Sequence, residues 1–344
     1  MIHGGDIYRN KIQMDFSVNT NPLGIPKTVQ EALEEAVKQC EYYPDIHAEK
    51  LIISLSEHTG FAPEQIVCGN GASELFPAII HALSPKRILI PVPSFYGYEK
   101  AARASGARID YYQMDEKNGF KLEDSFLATL EQDIDLIFLA SPNNPVGNTL
   151  DLFFLKRMCD RGLELGINVV IDECFIEFTE QLGISDPKLL EQYPNLIVVR
   201  AFTKIYAIPG VRLGYLFCSD MELNDKIRTQ LPEWNLSTFA QMAGIAALQE
   251  SEYINHTRAY VKEQRDYLIS ELVRLGFKVW PSTANFIMFQ SDVELFERLL
   301  EQQILIRDCK NYRGLRHGFY RAAVKSRKEN EELIRKIGEI LGAD

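Results

Sequence analysis

The chain has 344 residues, 46% of them apolar and 25% charged, with a net charge of −11. That length holds a large core and two domains, and the composition is that of an ordinary globular protein. The acidic balance argues against nucleic acid as the main partner, because a phosphate backbone needs a basic face, yet it leaves room for a small anionic substrate in a local cationic pocket.

Residues 1–27 read as irregular, with a short strand feeding a turn between Asp15 and Gly24. A helix is predicted over 28–40, with Leu33, Ala36, Val37 and Cys40 on one face and Thr28 as its N-cap. Tyr43-Pro44-Asp45 breaks it, and a second amphipathic helix is predicted over 48–58. From Ile66 onward, apolar runs alternate with helical spacing. Strands are predicted at 66–68, 87–91, 108–112, 136–140, 168–172, 195–199 and 213–218, with helices ending near 83 and spanning 94–105 and 152–165. Strands apolar throughout that alternate with helices imply a mostly parallel sheet covered on both faces. Beyond Cys218 the chain reads as mainly helical to about 275. Strands at 277–280, 285–290, 304–306 and 318–324, with helices between and after them, then suggest a smaller α+β domain.

The six cysteines form no Cys-x-x-Cys pair and lie mostly in apolar runs, so buried free thiols in a reducing cytosol are expected. The histidines lack His-x-His and His-x-x-x-His spacing, and no metal site is expected. Met1 to Asp6 lacks a basic stretch leading into an apolar one, and no apolar run reaches membrane-spanning length. A cytoplasmic protein with no membrane partner is the expectation.

Ligands of parallel α/β sheets collect beyond the carboxyl ends of the strands, and polar motifs stand at several of those ends. The central one is Arg200 to Arg212, where Lys204 follows a buried strand in a segment whose Pro209 and Gly210 exclude plain helix. Desolvation there would lower the amine pKa and make it a nucleophile for carbonyl compounds. Arg212, eight residues on, can reach an anion held near Lys204. Gly69-Asn-Gly-Ala-Ser73 precedes a helix and can cradle an anion at its N-terminus, although a tight turn capped by Ser73 is the alternative. Ser141-Pro-Asn-Asn-Pro-Val-Gly147 is a rigid loop presenting Asn143 and Asn144. Asp172 ends an apolar strand, where a carboxylate is costly unless it meets a cation; a loop cap is the alternative. Phe95 can stack on a planar ligand or belong to the core, and Tyr98 reads as core. Arg307 and Arg321 stand in apolar contexts, suited to carboxylate or phosphate or to a salt bridge.

Taken together, an anion site (Gly71, Ala72, Ser73, Thr203, Arg212), an aldehyde-reactive Lys204, a carboxylate for a ring cation (Asp172), an amide for a phenolate (Asn144) and a stacking Phe95 describe pyridoxal 5'-phosphate.

With that set in view, the sequence resembles the fold-type I pyridoxal-phosphate enzymes of the class I/II aminotransferase family along essentially its whole length. Lys204 with Arg212, Asn-Pro-Val-Gly at 144–147 and Asp172 carry the resemblance. It implies a three-layer α/β domain of 46–251 with a mostly parallel sheet, and a small α+β domain combining 1–45 with 252–344. It also implies a homodimer with shared active sites, in which Tyr43 serves the neighbour's cofactor phosphate. Two branches of the family look nearest, one decarboxylating threonine phosphate in cobalamin biosynthesis and one transaminating histidinol phosphate. His3-Gly4-Gly5, Asn21-Pro-Leu-Gly24, Arg307-Asp-Cys-Lys-Asn-Tyr312 and Tyr320-Arg321 are similar to the decarboxylase pattern. The resemblance thereby makes His3, Gly4, Gly5, Asn21, Gly24, Arg307 and Arg321 substrate-binding residues for a small phosphorylated amino acid. Aminotransferase activity is the alternative expectation, and a non-catalytic regulator that binds the cofactor is a third. Two positions depart from the family pattern: Phe175 where a tyrosine often contacts the cofactor, and Ala201 where a hydroxyl often helps hold the phosphate.

Overall fold

A computed structural model describes residues 4–180 and 186–342. The apolar runs assemble into one seven-stranded sheet built from β1 (Ile66–Gly69), β2 (Arg87–Val92), β3 (Arg108–Gln113), β4 (Leu136–Ala140), β5 (Asn168–Asp172), β6 (Leu196–Ala201) and β7 (Gly214–Cys218). Their spatial order is β1-β7-β6-β5-β4-β2-β3, and only β7 runs antiparallel to its neighbours. The central strands carry apolar residues at successive positions through their middles because neighbouring side chains enter two different cores. Leu136, Phe138, Val170, Ile197 and Val199 face the layer containing helices Ala72–Leu83 and Tyr96–Ser105. Ile137, Leu139, Val169, Ile171 and Val198 face the opposite layer, with Phe154, Leu155 and Met158 of helix Leu152–Leu165. Sheet parity decides where Asp172 projects: two residues beyond Val170, it stands on the Tyr98 side.

A second, antiparallel sheet contains β8 (Lys278–Val279), β9 (Phe286–Gln290), β10 (Arg307–Asp308) and β11 (Phe319–Ala323), in the order β10-β11-β9-β8. Arg307–Asp308 was not among the predicted strands, because two residues carry no period to read. Ile304–Leu305 was predicted as a strand, but it pairs in parallel with Met14–Asp15 rather than joining this sheet. The chain thus steps from one sheet to the other across Ile306, and brings the N-terminal segment beside β11, where Ala323 N–H donates to Phe16 O at 2.8 Å.

Smaller departures also have local causes. The first long helix spans Lys27–Val37 with Pro26, which has no side-chain acceptor, at its N-cap; Thr28 lies inside the helix and its hydroxyl donates to Glu250. Lys204 does not lie in an open loop: Phe202–Ile205 forms a single helical turn, stopped at Ala207, whose φ is +53°. All six cysteines are free thiols; five are buried as expected, while Cys40 is exposed. Among the described residues no helix is long and apolar enough to cross a membrane.

Candidate active site

The carboxyl ends of β1, β2, β4, β5 and β6 open into one cavity of about 260 Å3. Lys204 enters it from the helical turn after β6. Asn21 grips the backbone of that turn: its N–H donates to Lys204 O at 3.0 Å, and its side-chain amide donates to Ile205 O at 2.7 Å and Thr257 Oγ1 at 2.8 Å. Burial, with the Arg321 and Arg212 cations adding to it, lowers the Lys204 pKa to about 8. Thr203, beside it on the turn, is buried and lines the cavity.

Asp172 is 9% exposed; its Oδ1 accepts from Cys174 N–H at 2.9 Å and its Oδ2 from Tyr98 O–H at 2.5 Å, and the Cys174 thiol also bonds to the carboxylate. Burial pushes its carboxyl pKa up against those bonds, and no ion pair involving Asp172 occurs among the described residues. A buried carboxylate of this kind favours a cationic neighbour. Tyr98 stacks flat on Phe138 at 5.2 Å, and burial together with the Asp172 charge keeps its phenol protonated, so it serves as a donor. The sequence placed Tyr98 in the core. It is there, but its hydroxyl also fixes Asp172, and the available signal was its place one turn after Phe95 on a helix beginning at a strand end. Removing a hydrogen bond to a buried charge costs about 1.5–3 kcal/mol. Tyr98→Phe is therefore expected to lower kcat/KM by about tenfold or more. Unaltered steady-state kinetics would show that Tyr98 does not position Asp172.

An anion cradle faces these groups. Helix Ala72–Leu83 begins at Gly71, not at Ser73, and Ser73 accepts a hydrogen bond from Arg212 Nη2 at 2.9 Å. Gly71 has φ +76°, and a Cβ there would fall 2.4 Å from Arg212 Nη2, so glycine is required for the arginine to lie against the helix start. Arg212 itself holds φ +63°, a strained conformation that non-glycine residues keep mainly where function demands it. Backbone N–H groups, a helix N-terminus and a guanidinium then converge on one point.

The opposite wall comes from the small sheet. Arg307 and Arg321 are register partners across β10 and β11, both buried and both lining the cavity. Arg321 donates to Asn144 Oδ1 at 2.5 Å and to Ser17 O at 2.6 Å, and its Nε has no hydrogen-bond partner among the described residues. Tyr312 O–H also donates to Asn144 Oδ1, at 3.3 Å. With both donors on that oxygen, the Asn144 amide N–H groups are left to donate. Arg307 donates to Asp308 O and Asn311 Oδ1, each at 2.7 Å. Phe95, Phe175, Ala201 and Gly4 also line the cavity.

Not every expected residue reaches this cavity. Asn21 and Gly24 were expected to touch substrate and do not line it; Asn21 is spent on the lysine turn, and Gly24 is a turn with φ +79° whose carbonyl accepts from Tyr253. Gly5 also stands behind the wall, its N–H donating to Ser17 Oγ at 2.7 Å. Tyr43 is 81% exposed and packs on Trp234, outside the cavity of its own chain. His3 lies outside the described residues. Tyr312 is the other residue whose contact the sequence did not reveal, because its link to Asn144 spans 168 positions.

A three-layer α/β domain with a desolvated lysine, an unpaired buried carboxylate and an anion cradle at its strand ends defines an enzyme of carbonyl and amine chemistry. The family described as aminotransferase class I and II matches residues 11–337, and the chain belongs to that family, whose members are pyridoxal-phosphate enzymes. It is 36% identical over 332 residues to threonine-phosphate decarboxylase of Salmonella typhimurium, covering 95% of this chain and 91% of that one. It is 33% identical over 337 residues to histidinol-phosphate aminotransferase 2 of Archaeoglobus fulgidus, covering 97% and 94%. The crystal structure of histidinol-phosphate aminotransferase from Clostridium acetobutylicum superposes with a TM-score of 0.90 at 32% identity, over 96% of this chain and 99% of that one.

Proposed function

We propose that the protein holds pyridoxal 5'-phosphate at Lys204 and decarboxylates L-threonine O-3-phosphate to (R)-1-amino-2-propanol phosphate. The observation that carries the substrate class is the Arg307–Arg321 pair. Two buried guanidinium groups directly opposite one another on adjacent strands repel, and both face the lysine cavity. A substrate with two anionic ends relieves that repulsion, and an amino acid bearing a phosphate has them.

The donor set suits the cofactor. Ser73, Thr203 and Arg212 would bind its phosphate with the N-terminal N–H groups of helix Ala72–Leu83, Asn144 would donate to its phenolate oxygen, and Phe95 would cover the ring. Asp172 would keep the ring nitrogen protonated. When bound, the cofactor supplies an electron sink for the pair released at the substrate Cα. Lys204 would be the residue that holds the cofactor's aldehyde end, and its amine would carry a proton to or from the substrate Cα. Arg321 binds the carboxylate and Arg307 the phosphate, so the far anchor, rather than the carboxylate alone, orients the bonds at Cα. Phe175 and Ala201 each withhold a hydroxyl, which leaves more of the phenolate to Asn144 and more of the phosphate to Thr203 and Arg212. A homodimer is part of the reading: the exposed Tyr43 would complete the partner's phosphate site.

Transamination of histidinol phosphate or a similar amine is the second reading, favoured by the close superposition on the solved aminotransferase. Incubation with O-phosphothreonine alone separates the two. Carbon dioxide and the amine product should form without any keto acid. Conversion only when 2-oxoglutarate is added, with glutamate formed and no CO2, would replace the first reading by the second. Losing a buried charged partner costs several kcal/mol, so unphosphorylated threonine should bind at least ~100-fold more weakly than its phosphate ester. Equal affinity for the two would remove the role given to Arg307.

A further inference from the structure

Residues 309–318, between β10 and β11, make few backbone hydrogen bonds of their own; Tyr312 N–H to Cys309 O at 2.9 Å and Leu315 N–H to Tyr312 O at 3.0 Å are two of them. The segment nevertheless sets Tyr312 against Asn144 and follows directly on Arg307 and Asp308. Its dock is helix Tyr96–Ser105, whose Tyr98 lines the lysine cavity. Arg313 reaches Glu99 of helix Tyr96–Ser105 with both ends of its fork, Nη2 to Oε1 at 3.0 Å and Nε to Oε2 at 3.4 Å. Its guanidinium lies 4.0 Å from the Tyr111 ring centroid. Glu99 is 8% exposed and also pairs with Arg103 at 2.5 Å. A buried carboxylate held bidentately, with the guanidinium stacked on an aromatic ring, is a firmer joint than a surface ion pair.

The position of this joint gives it consequence. Glu99 follows Tyr98, which fixes Asp172, and Arg313 follows Tyr312, which fixes Asn144. Next to it, Gly314 presses on Gln113 so closely that a Cβ would fall 2.5 Å from Gln113 Oε1. A neighbouring pocket of about 410 Å3, lined by Ser94, Glu99, Lys310 and Arg313, opens beside the lysine cavity and shares Phe95, Arg307 and Tyr312 with it. The ion pair therefore ties the helix that carries Tyr98 to the segment that carries Tyr312, beside the lysine cavity.

We propose that Glu99 and Arg313 form a clasp: positioning residues that hold 309–318 on helix Tyr96–Ser105 and so set the spacing of Arg307 and Tyr312 from the Asp172 side. It rests on the reading above only in taking the lysine cavity as the substrate site. Arg313→Ala is the test variant, because Glu99 retains Arg103 and no buried charge is stranded. In the full chain without added ligand, amide exchange across 309–318 should rise about tenfold while β4 to β6 stay protected. In the loaded enzyme, KM for the phosphorylated substrate should rise about tenfold with kcat within about threefold. Glu99→Gln should reproduce the effect, the double variant should be no worse than either single one, and Arg313→Lys should recover part of the loss. Unchanged exchange in 309–318 overturns the clasp, as do additive losses in the double variant or a fall in kcat with KM constant. The exchange measurement needs neither cofactor nor substrate, so its failure is separate from failure of the proposed reaction.

Discussion

Lys204→Ala is expected to abolish covalent capture of pyridoxal 5'-phosphate and to lower turnover by about 10^3-fold or more, the general acid–base contribution alone reaching 10^2–10^4. The amine lies in the cavity with its pKa lowered to about 8 by burial, then by Arg321 and Arg212. Both effects favour the neutral nucleophile and disfavour the ammonium. The sign of the pH dependence follows. Capture of the aldehyde by the cofactor-free protein should be slow below pH 8, rise through about pH 8 as the ammonium loses its proton, and level off above it. An exposed lysine would not reach that plateau until near its ordinary value of 10.5. Absorbance of the bound chromophore against pH measures this, and borohydride reduction followed by peptide mapping locates the attachment. Colour and labelling that persist in Lys204→Ala would place the chemistry elsewhere.

Asp172→Asn should lower turnover by about 10^2–10^3-fold, the typical loss when one preorganised electrostatic partner is removed from a developing charge. The carboxylate is buried and makes no ion pair among the described residues; an amide could keep the Cys174 N–H bond at its oxygen and turn its NH2 toward the Tyr98 oxygen, which can accept. The Asn variant should therefore fold and still bind the phosphate end of the cofactor, while losing the negative charge that, in the proposed reading, would keep the ring nitrogen protonated. Cofactor affinity and turnover measured on one preparation separate the two effects. An Asn variant of nearly full activity would remove Asp172 from the mechanism.

Much of the large domain was legible because its signal is local. Runs such as Leu136–Ala140 and Val169–Ile171 are apolar at every position, and a sheet buried on both faces uses such runs. Lys204, Asp172, Asn144 and Ser73 were legible for the same reason: each directly follows or ends a strand, and parallel strands place their carboxyl ends together. Arg307 and Arg321 were visible as residues, but not as partners, since their pairing depends on the register of two short strands.

Other features could not be read in sequence order. Asn21 looked like a substrate residue from its motif, whereas its hydrogen bonds go to the backbone at Lys204 and to Thr257, more than 180 positions away. Tyr98 had the character of core, and only sheet parity shows that its hydroxyl meets Asp172 rather than another apolar residue. The amino-acid sequence by itself determined the strands of the large sheet, most of the long helices and the family, because periodicity and strand-end motifs are properties of a few consecutive residues. Only the tertiary structure decided which arginines stand together, which way Asn144 turns its amide, and that Arg313 closes on Glu99. Those contacts join residues far apart in the chain, and they exist only once the two sheets have packed around the same cavity.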